Sequence, residues 1–254
     1  MIIVEFMETC VTLAIYNKNK SPNILKVKKI EIPSLNIGEE SLNLVSDKLK
    51  QYLLKNSIRS KKAYVNIKTS KSIMKLVELP KMSEKYLSNT AKSSYQAYFP
   101  IDIEKFRVDY RVVHSTETFT KVLFAAIPSE ISSASLKVMQ KAGIKPIFMD
   151  LYQECICREV ANHCKESVAV IINFQNAINI ILMKHGFITF IRTMPLKDYH
   201  TNNYAFQRFM DSMCVRLDIA FIIGKLKWVE GYFLMNNTRV TLCDEFWSLR
   251  GLIE

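Results

Sequence analysis

Cys155, Cys157, His163 and Cys164 place four metal-capable side chains in one short stretch of the chain. Zinc needs thiolate and imidazole ligands that converge on one point, and paired cysteines in zinc sites usually stand about two to four residues apart. Only Ile156 separates Cys155 from Cys157, and on a helix those two positions point to different faces. No metal site is expected there. His114, His185 and His200 have no evident ligand partners. The six glycines form neither GxGxxG nor GxxxxGK, and the chain has no GxSxG turn and no HExxH. Asp and Glu are plentiful, but no spacing singles out an acid–base pair. No catalytic residue is assigned.

The elements that would position a site come from a chain of 254 residues, long enough for one or two domains. Hydrophobic residues make up 49%, enough to bury a real core. Lys and Arg number 35 against 24 Asp and Glu, and the excess is concentrated early: residues 1–81 hold fifteen basic and seven acidic side chains. A basic half can face nucleic acid or an anionic membrane surface, or can be an ordinary lysine-rich solvated face. The basic residues lack interleaved aromatics and form no recognition-helix cluster, so nucleic acid is not expected as a partner. The longest apolar run, Val168–Met183, is broken by Asn173, Gln175, Asn176 and Asn179. The opening MIIVEFMETC has no basic segment before an apolar one. Membrane-spanning, secreted and fibrous readings are excluded, and the six cysteines are read as reduced thiols of a cytosolic protein.

Alternation predicts strands over Ile2–Met7, Val11–Tyr16 and Ile24–Ile32. A helix follows Gly38, with Leu42, Val45 and Leu49 on one face, and Ala63–Lys68 is the next strand. The same order returns at Val168–Ile172, Ala177–Met183 and Phe187–Arg192. There the KHG turn at 184–186 leads into Phe187–Arg192, and one long helix from about Tyr204 to Trp228 follows that strand, then Val240–Cys243 and a closing helix Phe246–Ile253. Two copies of strand, strand, strand, helix, strand predict two lobes with a cleft between them. Between the copies, Ile73–Leu79 ends at Pro80. Ser83 opens a helix reaching Tyr98, Phe106–Val113 and Lys121–Ile127 are strands, Ser129 caps a helix to Lys141, and Pro146–Leu151 is a last strand.

The middle stretch carries a resemblance. Leu79-Pro80 with Met82-Ser83-Glu84, then Tyr98-Phe99-Pro100, Val108-Asp109-Tyr110, Ala125-Ala126, Ala142-Gly143, Pro146 and Asp150 resemble the PilM family of type IV pilus machines. The block Val168–Leu196, ending on Arg192 and Pro195-Leu196, is similar to that family's second phosphate-loop hairpin and following strand. The resemblance implies an α/β, actin-like (RNase H-like, duplicated) bilobed fold, also seen in the cell-division protein FtsA. It implies a first lobe at 1–79, an inserted small α/β subdomain at 80–150 and a second, reduced lobe at 151–254. Too few residues separate Leu196 from Val240 for the second lobe's usual outer subdomain.

In that family two hairpin turns hold the phosphates. Each pairs an acidic residue for the metal with a Gly that lets backbone N–H groups approach oxygen. Here Glu5 stands at the first Asp, Met7 at the Gly and Thr12 at a Lys, while Glu8 and Thr9 follow Met7. In the second turn Asn173 stands at the Asp and Gln175 at the Gly, followed by Asn176. The adenine-side Gly pair matches Asp244-Glu245. A carboxylate beside phosphate repels it, more strongly in a cleft than in water. These departures imply no ATP hydrolysis, weak or absent ATP–magnesium binding and no required cofactor.

The implied role is a cytoplasmic scaffold, peripheral at the inner membrane face. It would hold the N-terminal cytoplasmic segment of a PilN-like membrane protein between the first lobe and the inserted subdomain. Tyr95, Tyr98, Phe99 and Phe106 are the aromatic candidates for that groove, or else core residues of the subdomain. Other platform and motor proteins and anionic lipid are further expected partners. Two alternatives stand: the actin-like cytoplasmic domain of a GspL-like type II secretion protein, and a residual ATP-binding ATPase.

Overall fold

Five consecutive buried residues open the strand β1 (Ile2–Met7). A strand buried on both faces needs neighbours on both edges. β1 has β2 (Cys10–Tyr16) antiparallel on one side and β4 (Lys62–Lys68) parallel on the other. β3 (Ile24–Glu31) and β8 (Lys145–Leu151) complete a sheet of order β3-β2-β1-β4-β8. Parallel neighbours require crossovers. The first is α1 (Glu39–Lys55), and the second ends in α4 (Ser129–Lys141). Leu42, Val45 and Leu49 of α1 and Val138 and Met139 of α4 close the first-lobe core over β1, β2 and β4. The computed structural model describes residues 2–8, 10–16, 24–31, 38–58, 61–93, 95–98, 102–174, 176–196 and 199–244.

The second lobe repeats this plan with β9 (Val168–Phe174), β10 (Ala177–Lys184), β11 (Phe187–Pro195), α6 (Tyr199–Ser212), β12 (Ile219–Ile223), α7 (Lys227–Met235) and β13 (Arg239–Cys243). Its sheet order, β11-β10-β9-β12-β13, matches the first position for position. His185 and Gly186, at φ 53 and 80, give the β10–β11 turn the positive dihedrals that two-residue hairpins favour. The duplication read from the sequence is therefore present, with one more helix and strand in each copy.

Two sequence expectations change here. The single helix from Tyr204 to Trp228 is instead α6, β12 and α7. Ile219–Ile223 is a short apolar run, and a run of that length carries no decisive period. Its place between β9 and β13 decides: Phe221 and Ile223 enter the core against β9, while Ala220 and Ile222 pack with Phe206 and Phe233. Ser129 is the first residue of α4 and not its cap. Pro128 holds the cap position without a side-chain hydrogen bond, because β7 runs straight into the helix. The other end of α4 matches expectation: Gly143 at φ 72 donates to the Gln140 carbonyl at 3.0 Å, and Ile144 donates to Met139 at 2.9 Å.

The inserted unit contains β5 (Ile73–Pro80), α2 (Glu84–Ser93), α3 (Tyr95–Tyr98), a 3-10 turn at Ile103–Lys105, β6 (Phe106–Ser115) and β7 (Phe119–Pro128). Its sheet runs β5-β7-β6. Strand pairing thus moves β5 out of the first lobe, where the 1–79 grouping had it. It also takes α4 and β8 into the first lobe, away from the 80–150 grouping. The insertion falls between β4 and α4. The equivalent junction in the second lobe, between β12 and α7, holds only Gly224, Lys225 and Leu226. That lobe is reduced accordingly. The helix α5 (Tyr152–His163) links the halves, packing Ile156 and Val160 against β9 and against Met74 and Leu123 of the insert. The predicted closing helix 246–253 lies outside the described residues.

Candidate functional site

The C-terminal ends of parallel strands are where α/β sheets usually open a crevice. In this chain the ends of β1, β4 and β9 meet across the two lobes. Met7, Glu8, Lys29, Lys68, Asn173 and Asn176 line a cavity of about 300 Å³ between them. Four of the residues placed at phosphate turns therefore reach one cavity: Met7, Glu8, Asn173 and Asn176. Glu5 and Thr12 face each other across the β1–β2 pair and are fully buried. Asn66 donates to Glu5 Oε2 at 2.7 Å, and the Cys155 thiol donates to Asn66 Oδ1 at 3.7 Å. That chain holds the Glu5 carboxylate inside the first lobe. Asp244 follows β13, in the same row of strand ends as Asn173. Thr9, Gln175 and Glu245 lie outside the described residues.

Glu8 is anchored at the cavity wall, where its Oε1 accepts from Thr69 at 3.1 Å and Ser70 at 3.4 Å. Lys29 and Lys68 were not anticipated in the cavity. Their signal lies in register: Lys29 pairs across from Thr12, and Lys68 from Met7. Lys68 Nζ also sits 4.3 Å from the Tyr152 ring centroid. A Cβ on Gly224 would fall 2.8 Å from Asn173 Cβ, so only glycine lets the β12–α7 turn pass the second hairpin. Burial pushes the Cys155 and Cys157 thiols up, so neither is a ready thiolate. Cys155 faces Asn66, while Cys157 enters the core shared with β9.

A second concavity lies between the first lobe and the insert. It measures about 460 Å³, and Arg107, Arg111, Ile127, Phe148, Asp150 and Glu154 are among its walls. Among the described residues, β6 ends the insert's sheet and β8 ends the first lobe's sheet. Two strand edges therefore flank one groove, with α5 at its base. Arg111 pairs with Glu154, and Arg158 with Asp150. Glu154 is only 5% exposed, and its Oε2 has no hydrogen-bond partner. Desolvation by burial raises the Glu154 pKa, opposed by the Arg111 charge and hydrogen bond.

Of the aromatic candidates, the described side chains Tyr98 and Phe106 are not among the walls of this groove. Tyr98 stacks on Phe124 at 5.4 Å, and both Tyr98 and Phe106 pack into the insert's own core with Leu87 and Ala91. The α3 backbone carries Tyr95, and Phe99 lies outside the described residues. The groove's charged residues went unnoticed in the sequence. Their signal was the strict alternation of FRVDYRVV, which puts Arg107, Asp109 and Arg111 on the face opposite Phe106, Val108 and Tyr110.

The family described as type IV pilus assembly protein PilM matches residues 17–208. Among solved structures, a PilM-PilN type IV pilus biogenesis complex is 13% identical, with a TM-score of 0.77 over 96% of this chain and 88% of that one. A Bacteroides thetaiotaomicron protein with an actin-like ATPase fold and unknown function gives a TM-score of 0.64 at 13% identity, covering 100% of this chain and 95% of that one. The cytoplasmic domain of EpsL, an inner membrane component of the Vibrio cholerae type II secretion system, gives 0.57 at 9% identity, covering 99% and 92%. These likenesses show an actin-like fold. No curated protein matches the sequence.

Proposed function

The chain belongs to the PilM family of type IV pilus assembly proteins, and on that premise we propose that it is a cytoplasmic scaffold that docks an extended segment of a PilN-like membrane protein. The observation that carries this reading is the groove between β6 and β8. Both strands end their sheets among the described residues, and apolar side chains lie beside charged ones along the walls. An extended segment can add to such an edge through main-chain hydrogen bonds, with alternate side chains entering pockets. Ile147 and Phe148, about half exposed on β8, supply apolar surface at the rim. The similar PilM-PilN complex supports the partner class. Titration calorimetry with a synthetic N-terminal PilN-type peptide tests it. Binding is expected, and Phe148→Arg should abolish it. A peptide that fails to bind, or binds equally to F148R, would overturn the proposal.

The cleft between the lobes fits a nucleoside triphosphate with magnesium poorly. The Met7 side chain occupies the cavity wall where close backbone approach is needed, and Glu8 engages the nearby hydroxyls of Thr69 and Ser70. Glu5, which would have to organise the metal, is buried behind the wall. Lys29 and Lys68 offset the Glu8 charge but supply neither a metal ligand nor a bare turn. The protein is therefore read as a non-hydrolysing member of the fold that requires no cofactor. Calorimetry with ATP and magnesium should give no binding heat, and micromolar affinity would refute this.

The likeness to the EpsL cytoplasmic domain supports a second reading, a platform domain of a type II secretion machine. Parallel titration with peptides from the pilus and secretion partners separates the two. No described helix is long and apolar enough to cross a membrane, and attachment to the inner membrane face would rest on surface charge.

A further inference from the structure

Every acid in the groove except one has its acceptor oxygens engaged or open to water. Asp150 takes Arg158 on one oxygen and the Leu151 backbone N–H, at 2.7 Å, on the other. Asp109 is exposed and accepts from the Tyr110 N–H at 2.8 Å. Glu154 differs: Arg111 covers Oε1, while Oε2 is buried without a partner at the base of the groove. Leaving a buried acceptor unpaired is unfavourable, because it has lost its water and gained nothing in exchange. The basic residues nearby do not supply the missing donor. Arg158 is directed to Asp150, and Arg107 donates to Ser133 Oγ at 3.2 Å.

We infer that Glu154 is the specificity-determining residue of this groove, and that it selects a docked strand carrying a lysine or arginine over the first turn of α5. This rests on the reading of the groove as a peptide site and names the chemistry of its occupant. Two features favour a cation over a neutral donor. Arg111 is half exposed, so water screens its charge, and a charge-assisted bond from a cation held in a dry groove is stronger than a neutral one. An occupant running beside β8 would also seal the site from water, which strengthens the pair further. The strand has seven residues, so a segment of about eight residues spans it.

The test uses the full chain and a panel of octapeptides from the PilN-type N-terminal segment. Each position is replaced in turn by lysine or by norleucine, which keeps the carbon stem and removes the charge. Fluorescence anisotropy gives the affinity ratio at each position. One position should favour lysine by roughly tenfold, the scale of one charged hydrogen bond. Glu154→Gln should collapse that ratio to near one, and its circular dichroism spectrum and urea midpoint, read in parallel, show that the variant folds. A lysine preference that persists in E154Q overturns the inference while the groove stands. Absence of binding by the whole panel, or binding indifferent to F148R, overturns the groove reading and the inference with it.

Discussion

A carboxylate on the most apolar strand of the first lobe has to be explained by what holds it. Glu5 is fully buried between Val4 and Phe6, and the Asn66 amide donates to it at 2.7 Å. Asn66 sits directly across the parallel β1–β4 pair, so register sets the contact. Asn66→Leu removes this donor from a buried carboxylate, a change that costs about 1–3 kcal/mol. Urea unfolding should show a loss of that size. The double variant Glu5→Leu/Asn66→Leu should recover part of it, since an apolar pair leaves no orphaned charge. A double variant less stable than N66L would sink this account. At this scale the sequence was informative about type and silent about partner. Met7 and Asn173 fall beside the turns that close the predicted strands, and the family resemblance set Glu5 with them at the phosphate turns. Lys29, Lys68 and Asn66 join them only through strand register, which no local pattern states.

The element that couples the halves is α5, whose side chains are buried on several sides at once. Gln153 Nε2 donates to Ser72 Oγ at 2.8 Å and to Asn179 Oδ1 at 3.0 Å, and Asn179 passes the chain to Thr193 at 2.9 Å. The polar line runs from the turn after β4, through α5, to the β10–β11 hairpin. Gln153→Met keeps length and apolar volume but removes both donors. Hydrogen exchange should then quicken at the β4–β5 turn and in β10 together, because each loses its tie to α5. Exchange confined to one side, or unchanged, would show that the lobes are held by apolar packing alone. Helices with one buried stripe, such as α1 and α4, were legible from spacing. β12 was not: its five residues are apolar on both faces, and only their place between two parallel strands makes them a strand.

At the scale of the whole molecule, the repeated sheet order was half visible in the sequence, because hairpins and their crossover helices leave local signals. The exchange of β5 and β8 between units left none, since pairing is a long-range choice. That exchange fixes where the proposed docking groove and the lysine-rich edge lie. The groove adjoins β8, at one edge of the first sheet, and β3 forms the other edge. Lys28, Lys48 and Lys55 cluster on β3 and α1, beside Lys29. Strands stand about 4.8 Å apart, so the lysine edge and the groove edge are separated by roughly 20 Å. A partner segment leaving the lipid surface covers that distance in about six extended residues. Lipid contact and peptide docking should therefore be independent. Each lysine near an anionic leaflet contributes about 1 kcal/mol, so Lys28→Glu/Lys48→Glu/Lys55→Glu should reduce cosedimentation with phosphatidylserine vesicles by more than tenfold. The same triple variant should leave peptide affinity unchanged, and high salt should release the wild type from the vesicles. Saturating peptide should not displace the protein from lipid. Competition between the two ligands would place the membrane on the groove side of the first lobe, and the lysine edge would then be an ordinary solvated surface.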